Sequence, residues 1–229
     1  MENPTLPSLT NEPARDILGR LALENRGDLL SFSQKSLEKF RIKLEVTSTS
    51  SKLNEGSGNI IFANHKSSLD TIIIINALQE KGIKIPQLKL FLSEQTYPFY
   101  ASHFSKDNFL VATNKPRFVL EQTQKALEHI ATGGSVFIFP SGKPTECGDS
   151  LFKPGLTYLI ENAPKNSFII PCHIGEYSFT GLSQTVPVRI ETYKLEEWSQ
   201  LLSSELTRQE NTKIIQDRYK QIFTLNNKS

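Results

Sequence analysis

The chain has 229 residues, 38% hydrophobic and 22% charged. It is long and apolar enough to bury the core of one domain, and its composition is not that of a disordered chain. Its 26 Lys and Arg against 24 Asp and Glu leave a net charge of +2, which argues against a nucleic-acid binder held by bulk charge.

Residues 1–11 read as a loose tail. The opening MENPTLPSLT has two prolines and no basic stretch, so it does not read as a signal peptide. Helical stripes follow over 13–24 (Ile17, Leu18, Leu21, Ala22) and 29–40 (Leu30, Leu37, Phe40). RIKLEVT, 41–47, alternates and predicts a strand with one solvated face. A polar loop over 48–59 leads to the short buried strand NIIFA, 59–63.

The β-branched run Thr71–Ile75 favours a strand by propensity. Ser67 or Ser68 as a cap, Asp70 in the first turn and Gly82 as a stop instead predict a helix over 69–81. Strands are expected at 88–92 and 108–111. A helix over 117–132 carries the stripe Phe118, Leu120, Ala126, Leu127 and Ile130 and ends at Gly133-Gly134. A core strand at 135–139, a helix at 154–163, strands at 167–172 and 186–193, and one or two polar helices over 196–223 complete the chain. Strands alternating with helices predict an α/β fold, a mostly buried sheet flanked by helices with an N-terminal helical segment. The expected division is 1–40, a domain over 41–195, and C-terminal helices over 196–229.

The longest apolar runs, Ile72–Ile75 and Val136–Phe139, fall far short of the roughly 18–20 residues of a membrane helix. The expectation is a cytoplasmic protein, soluble or peripheral on a membrane. Either 13–40 lies on that membrane, aided by Arg15, Arg20, Arg26, Lys35 and Lys39, or it packs on the main domain. Cys147 and Cys172 form neither a metal-ligand spacing nor a disulfide framework and read as reduced thiols. No metal site is expected: among His65, Asp70, Cys147 and His173 no ligand pair is closely spaced. His103 and His129 read as surface residues.

The sharpest motif is Asn64-His65-Lys66-Ser67-Ser68-Leu69-Asp70, where the strand 59–63 hands over to the next helix. On a continuous helix five steps would place His65 and Asp70 about 140° apart. They meet if His65 lies in the turn and Asp70 in the first helical turn. A carboxylate there takes the Nδ1 proton of the imidazole and leaves Nε2 as a base. The plainer reading is a capping Asp and an unrelated surface His. A second feature is Phe139-Pro140-Ser141-Gly142-Lys143-Pro144, followed by Phe152-Lys153-Pro154-Gly155. It is a strand, turn and basic loop of the kind that holds anions at the carboxyl ends of strands. A third is the apolar, proline-bearing strand Ile169-Ile170-Pro171-Cys172.

In this order the three resemble the glycerolipid acyltransferase family, best known for the lysophosphatidate acyltransferases. That family carries N-H-x-S-x-x-D, matched at every fixed position by 64–70. It continues with F-P-E-G-T-R, a later G and F-K-x-G. Here those read Phe139, Pro140, Gly142, Gly148 and Phe152-Lys153-Pro154-Gly155. The resemblance spans roughly 41–193. It implies transfer of a fatty acyl group from acyl-CoA or acyl-acyl carrier protein, as co-substrate and without a cofactor, to a hydroxyl of a lysophospholipid or related lipid. It makes His65 the general base and Asp70 its orienting partner. Ser67, Lys115, Ser141, Gly142, Lys143, Lys153 and Gly155 become candidate substrate-binding residues. Backbone N–H groups near the helix after Ser67 are candidate oxyanion donors.

The departures are specific. Glu, Thr and Arg of F-P-E-G-T-R are Ser141, Lys143 and Pro144 here, and the family's G-x-I-F-I-D-R is only echoed by 108–115, with Asn114 for Asp and Lys115 for Arg. Lysine brings charge without the bidentate fork. The alternatives are therefore a non-phosphate acceptor such as a lyso-aminolipid, or a family member that binds lipid or acyl carrier without turnover. Ser141 as a hydrolase nucleophile is disfavoured, because Phe139 stands where G-x-S-x-G needs glycine.

Overall fold

A computed structural model describes residues 12–48, 57–82, 87–113, 115–144, 151–177 and 183–224. The run Asn59–Ala63 (β2) is buried at every position, as an apolar strand without alternation should be. It lies between β5 (Ser135–Ile138) and β6 (Phe168–Ile174), parallel to both. β3 (Leu88–Ser93) and β4 (Phe109–Ala112) extend the parallel sheet beyond β5. On the other side β7 (Gln184–Ile190) runs antiparallel to β6, and β1 (Ile42–Ser48) pairs in parallel with β7. The order is β1-β7-β6-β2-β5-β3-β4, with the two-residue β8 (Tyr193–Lys194) also on β6. The single strand expected over 186–193 is thus two, broken at Glu191-Thr192 where the chain leaves the ladder. Because β2 to β6 are mutually parallel, their carboxyl ends share one edge, and the loops leaving them meet there.

Helices cover both faces. Ile61 and Ala63 belong to a core shared with α1 (Glu12–Glu24), α2 (Leu29–Lys39), α3 (Asp70–Glu80) and α4 (Tyr97–His103). Their neighbours Ile60 and Phe62 join α5 (Pro116–Ala131), α6 (Gly155–Asn162), α7 (Leu195–Ser199) and α8 (Arg208–Thr224) in a second core. The α/β reading therefore holds. In α3 the run Ile72–Ile75 is wholly buried. Burial around the whole circumference outweighs the few tenths of a kcal/mol per residue that helix propensity withholds from β-branched side chains. Gly82, at φ 78°, closes α3 as expected. Neither Ser67 nor Ser68 caps it: Leu69 is the N-cap and makes no side-chain cap bond.

One helix lies outside the expected elements, and two further expectations are corrected. α4 gave no periodic signal in the sequence, yet it forms behind a proline in its first turn and buries Phe99, Tyr100 and His103. His103 is therefore not on the surface; its Nδ1 donates to the Phe99 carbonyl at 2.8 Å. On α5 the stripe expected to be buried divides. Ala126 and Ile130 are buried, but Phe118 and Leu120 are 53% and 59% exposed. α5 starts at the carboxyl edge of the sheet, and its first turns stand beside that edge's cavity rather than over the strands. α1 and α2 pack on the first core through Leu18, Ala22, Leu29, Phe32 and Leu37. No helix among the described residues is long and apolar enough to cross a membrane.

Candidate active site

His65 leaves the end of β2 in a turn, and Asp70 opens α3. The turn brings His65 Nδ1 to 2.8 Å from Asp70 Oδ2. The same oxygen accepts the Ser67 N–H at 2.8 Å and the Lys66 N–H. Asp70 is fully buried, and these donors hold the carboxylate in one orientation. The opposite face of the imidazole is also fixed: its ring stacks on Phe139, centroids 3.9 Å apart and planes 10° from parallel. Nδ1 is thus engaged and Nε2 lies on the far side of the ring.

A second segment clasps this turn. Asn64 splices the end of β2 to the end of β6: its Nδ2 donates to the Ile174 carbonyl at 2.9 Å and its Oδ1 accepts the Ile174 N–H at 2.8 Å. Lys66 pairs with Glu176 at 2.6 Å. Tyr177 Oη donates to Asp70 Oδ1 and lies 2.5 Å from Ser67 Oγ. Burial, and then the Asp70 charge beside it, push the Tyr177 phenol well above its ordinary range, so it remains a proton donor. From the second core, Tyr219 of α8 accepts the Asn64 N–H at 3.1 Å and donates to the Cys172 carbonyl at 2.8 Å.

His65 opens onto a cavity of about 840 Å³ at the carboxyl edge of the sheet. Phe91, Leu92, Val111, Val119, Leu120 and Leu159 give it apolar walls, and Lys143, Lys153 and Arg208 give it positive charge. Its size and its mix of apolar wall with a few converging polar groups suit a ligand with a long apolar part and a charged end.

The sequence profile of the Acyltransferase family matches residues 43–175, more than half of the chain. The chain belongs to the acyltransferase family. Among solved structures it is similar to the 1-acyl-sn-glycerophosphate (LPA) acyltransferase PlsC from Thermotoga maritima. The TM-score is 0.55 at 15% identity, over 93% of this chain and 83% of that one, a likeness of fold. No curated protein matches the chain by sequence.

In this acyltransferase the candidate residues separate into three groups. His65, Gly142, Lys143, Lys153 and Gly155 line the cavity with Ser68, Thr71 and Pro140. Gly142 has a φ of 71°, and a Cβ there would sit 2.8 Å from Lys153 Nζ, so glycine lets the lysine lie across the turn. Ser67 and Ser141 stand behind the wall. Ser67 Oγ accepts the Leu69 N–H at 3.1 Å, and Ser141, 7% exposed, donates to the Lys143 carbonyl at 3.0 Å. Lys115 does not line the cavity; it reaches Glu94 at 3.7 Å on the exposed rim. Asn114, Cys147 and Gly148 lie outside the described residues.

Of the N–H groups around the start of α3, those of Lys66, Ser67, Leu69 and Asp70 are spent within the turn. Sequence reasoning missed Tyr177, Phe139 as the plate under the imidazole, and Arg208 on the cavity wall. Each comes from a segment remote in sequence, and only the strand order and α8 bring them together. Among the described residues no group of three or more His, Cys, Asp or Glu is placed to hold a metal ion.

Proposed function

We propose that the enzyme moves a fatty acyl group from a thioester, acyl-CoA or acyl-acyl carrier protein, to a hydroxyl of a lysophospholipid or related lipid. The observation that carries this reading is the His65–Asp70 pair, 2.8 Å apart, opening onto a large apolar cavity with cations in its wall. An alcohol is a weak nucleophile, whereas a thioester is already a good electrophile; what the reaction lacks is a positioned base. His65 Nε2 takes the hydroxyl proton as the oxygen attacks the thioester carbonyl. The C–O bond forms, the tetrahedral adduct collapses, the C–S bond breaks, and the thiolate leaves with the proton held on Nε2. Asp70 keeps the Nδ1 proton in place and offsets the imidazolium charge. The apolar walls accommodate an acyl chain. Lys143 and Lys153 supply charge for an acceptor phosphate, while Arg208 on the same wall is paired with Glu161 at 3.2 Å. Incubation with labelled acyl-CoA and a panel of phosphorylated and uncharged lysolipids tests the reading. Ester product with none of them refutes it.

Lys143→Ala is expected to lower kcat/KM for a phosphorylated acceptor about ten- to a hundred-fold, the equivalent of roughly 1.5–3 kcal/mol for one charge-assisted hydrogen bond. For an uncharged acceptor the loss is much smaller. Steady-state kinetics with matched acceptors measures the contrast, and equal losses remove the lysine from head-group recognition.

Tyr177→Phe removes one donor to Asp70 without disturbing His65 itself. The expected result is a fall in kcat of about tenfold, one ordinary hydrogen bond's worth, with KM nearly unchanged. A rise in KM at constant kcat places Tyr177 in substrate binding instead.

A further inference from the structure

Exposed apolar side chains concentrate around the cavity mouth. Phe118, Val119 and Leu120 are consecutive on the first turns of α5, 53%, 39% and 59% exposed, and Val119 and Leu120 also line the cavity. Leu151, 79% exposed, stands two residues before the cavity-lining Lys153. Basic residues surround them. Lys115 Nζ lies 6.0 Å from the Phe118 ring centre, Arg117 is exposed beside it, and Lys143, Lys153 and Arg208 line the wall. Among the described residues the nearby carboxylates Glu94, Glu121 and Glu161 are each paired with a cation: Lys115, Lys125 and Arg208. Among those residues Arg117, Lys143 and Lys153 therefore leave positive charge in excess. By contrast, the N-terminal helices turn their apolar stripe into the core, and Leu23 is their one exposed large apolar side chain among the described residues.

We propose that this rim seats the cavity mouth on an anionic lipid bilayer. Phe118, Leu120 and Leu151 enter the boundary between headgroups and acyl chains, while Arg117, Lys143 and Lys153 meet lipid phosphates. The proposal rests on the reading of the acceptor as a lipid, and it gives that acceptor a route into the cavity that does not cross water. An acidic carrier protein would use the cations, but it would leave the consecutive apolar side chains at the mouth without a role. This surface is separate from the segment 13–40, which packs on the first core through Leu18, Ala22, Leu29, Phe32 and Leu37.

The test is flotation of the full chain with vesicles of phosphatidylcholine alone and of phosphatidylcholine with phosphatidylglycerol. The wild type is expected to float with the anionic vesicles, and less so in high salt. The double variant Phe118→Ser/Leu151→Ser is expected to bind at least about tenfold more weakly, from the loss of two large apolar contacts. Leu23→Ser, on the N-terminal helices, binds as the wild type does. A wild type that stays unbound, a double variant that binds equally, or an equal loss in Leu23→Ser overturns the proposal. So does loss of binding to immobilised acyl carrier protein in the double variant with flotation intact, because it assigns the rim to a protein. Flotation is read without turnover. A wild type that floats as expected but acylates no lysolipid leaves the surface standing and removes the proposed reaction.

Discussion

His65→Ala is expected to lower kcat for acyl transfer by about 10²- to 10⁴-fold, the share of catalysis that a positioned base supplies. The fold should survive. The imidazole lies on the cavity wall between Phe139 and Asp70, and the elements around it are held by other contacts: Asn64 to Ile174, Tyr219 to Asn64 and Cys172, and the buried run Ile72–Ile75. A thermal melt close to the wild type, together with the loss of turnover, is the expected pair of measurements. Near-native turnover in this variant removes His65 from the mechanism.

Asp70→Asn is expected to do comparable damage by a different route, with a second, measurable consequence for stability. The carboxylate is fully buried and accepts from His65, Lys66, Ser67 and Tyr177. An asparagine offers one oxygen and one NH₂, so only one of the two sides of the carboxylate keeps an acceptor. With the oxygen toward Tyr177, the NH₂ faces Nδ1 and forces the imidazole into the wrong tautomer, for which the expected loss of kcat is about 10⁴-fold. With the oxygen toward His65, the Tyr177 hydroxyl gives up its bond to Asp70 and turns to Ser67 Oγ, 2.5 Å away. The first arrangement also takes the acceptor from the Lys66 and Ser67 N–H groups, at a cost of about 1–3 kcal/mol for each donor left unsatisfied. Kinetics and denaturant titration of the same variant should therefore both move, in contrast to His65→Ala. Full stability with lost activity would mean that the carboxylate acts only on the imidazole and does not hold the turn.

How much of this was legible in the sequence depended on whether partners are neighbours along the chain. The His65–Asp70 pair was legible as one of two readings of a five-residue separation across a strand-to-helix turn, and the family resemblance chose between them. β2 and α3 were legible from residues near in sequence: an apolar run of five residues, and Asp70 and Gly82 at the two ends of a run too long for a strand. What failed needed the strand order. Phe139 reaches His65 because β5 lies beside β2, and Tyr177 reaches Asp70 because β6 lies on β2's other side. No spacing in the sequence encodes either adjacency. Phe118 and Leu120 were misread because periodicity reports an apolar stripe without reporting where the sheet ends beneath it. Lys115 was misread for a related reason: a loop lysine carries no signal of direction, and here Glu94 draws it to the rim.

The central claim is direct transfer from a thioester to an acceptor hydroxyl, promoted by His65 and without an acyl-enzyme. The measurement that tests it most directly follows an acyl-labelled thioester with the wild type, first without and then with a lysophospholipid. The account predicts no label on the protein in the absence of acceptor. On addition of acceptor it predicts labelled ester product, which His65→Ala fails to form. Label bound covalently to the wild-type protein before acceptor is added, or undiminished product from His65→Ala, contradicts it.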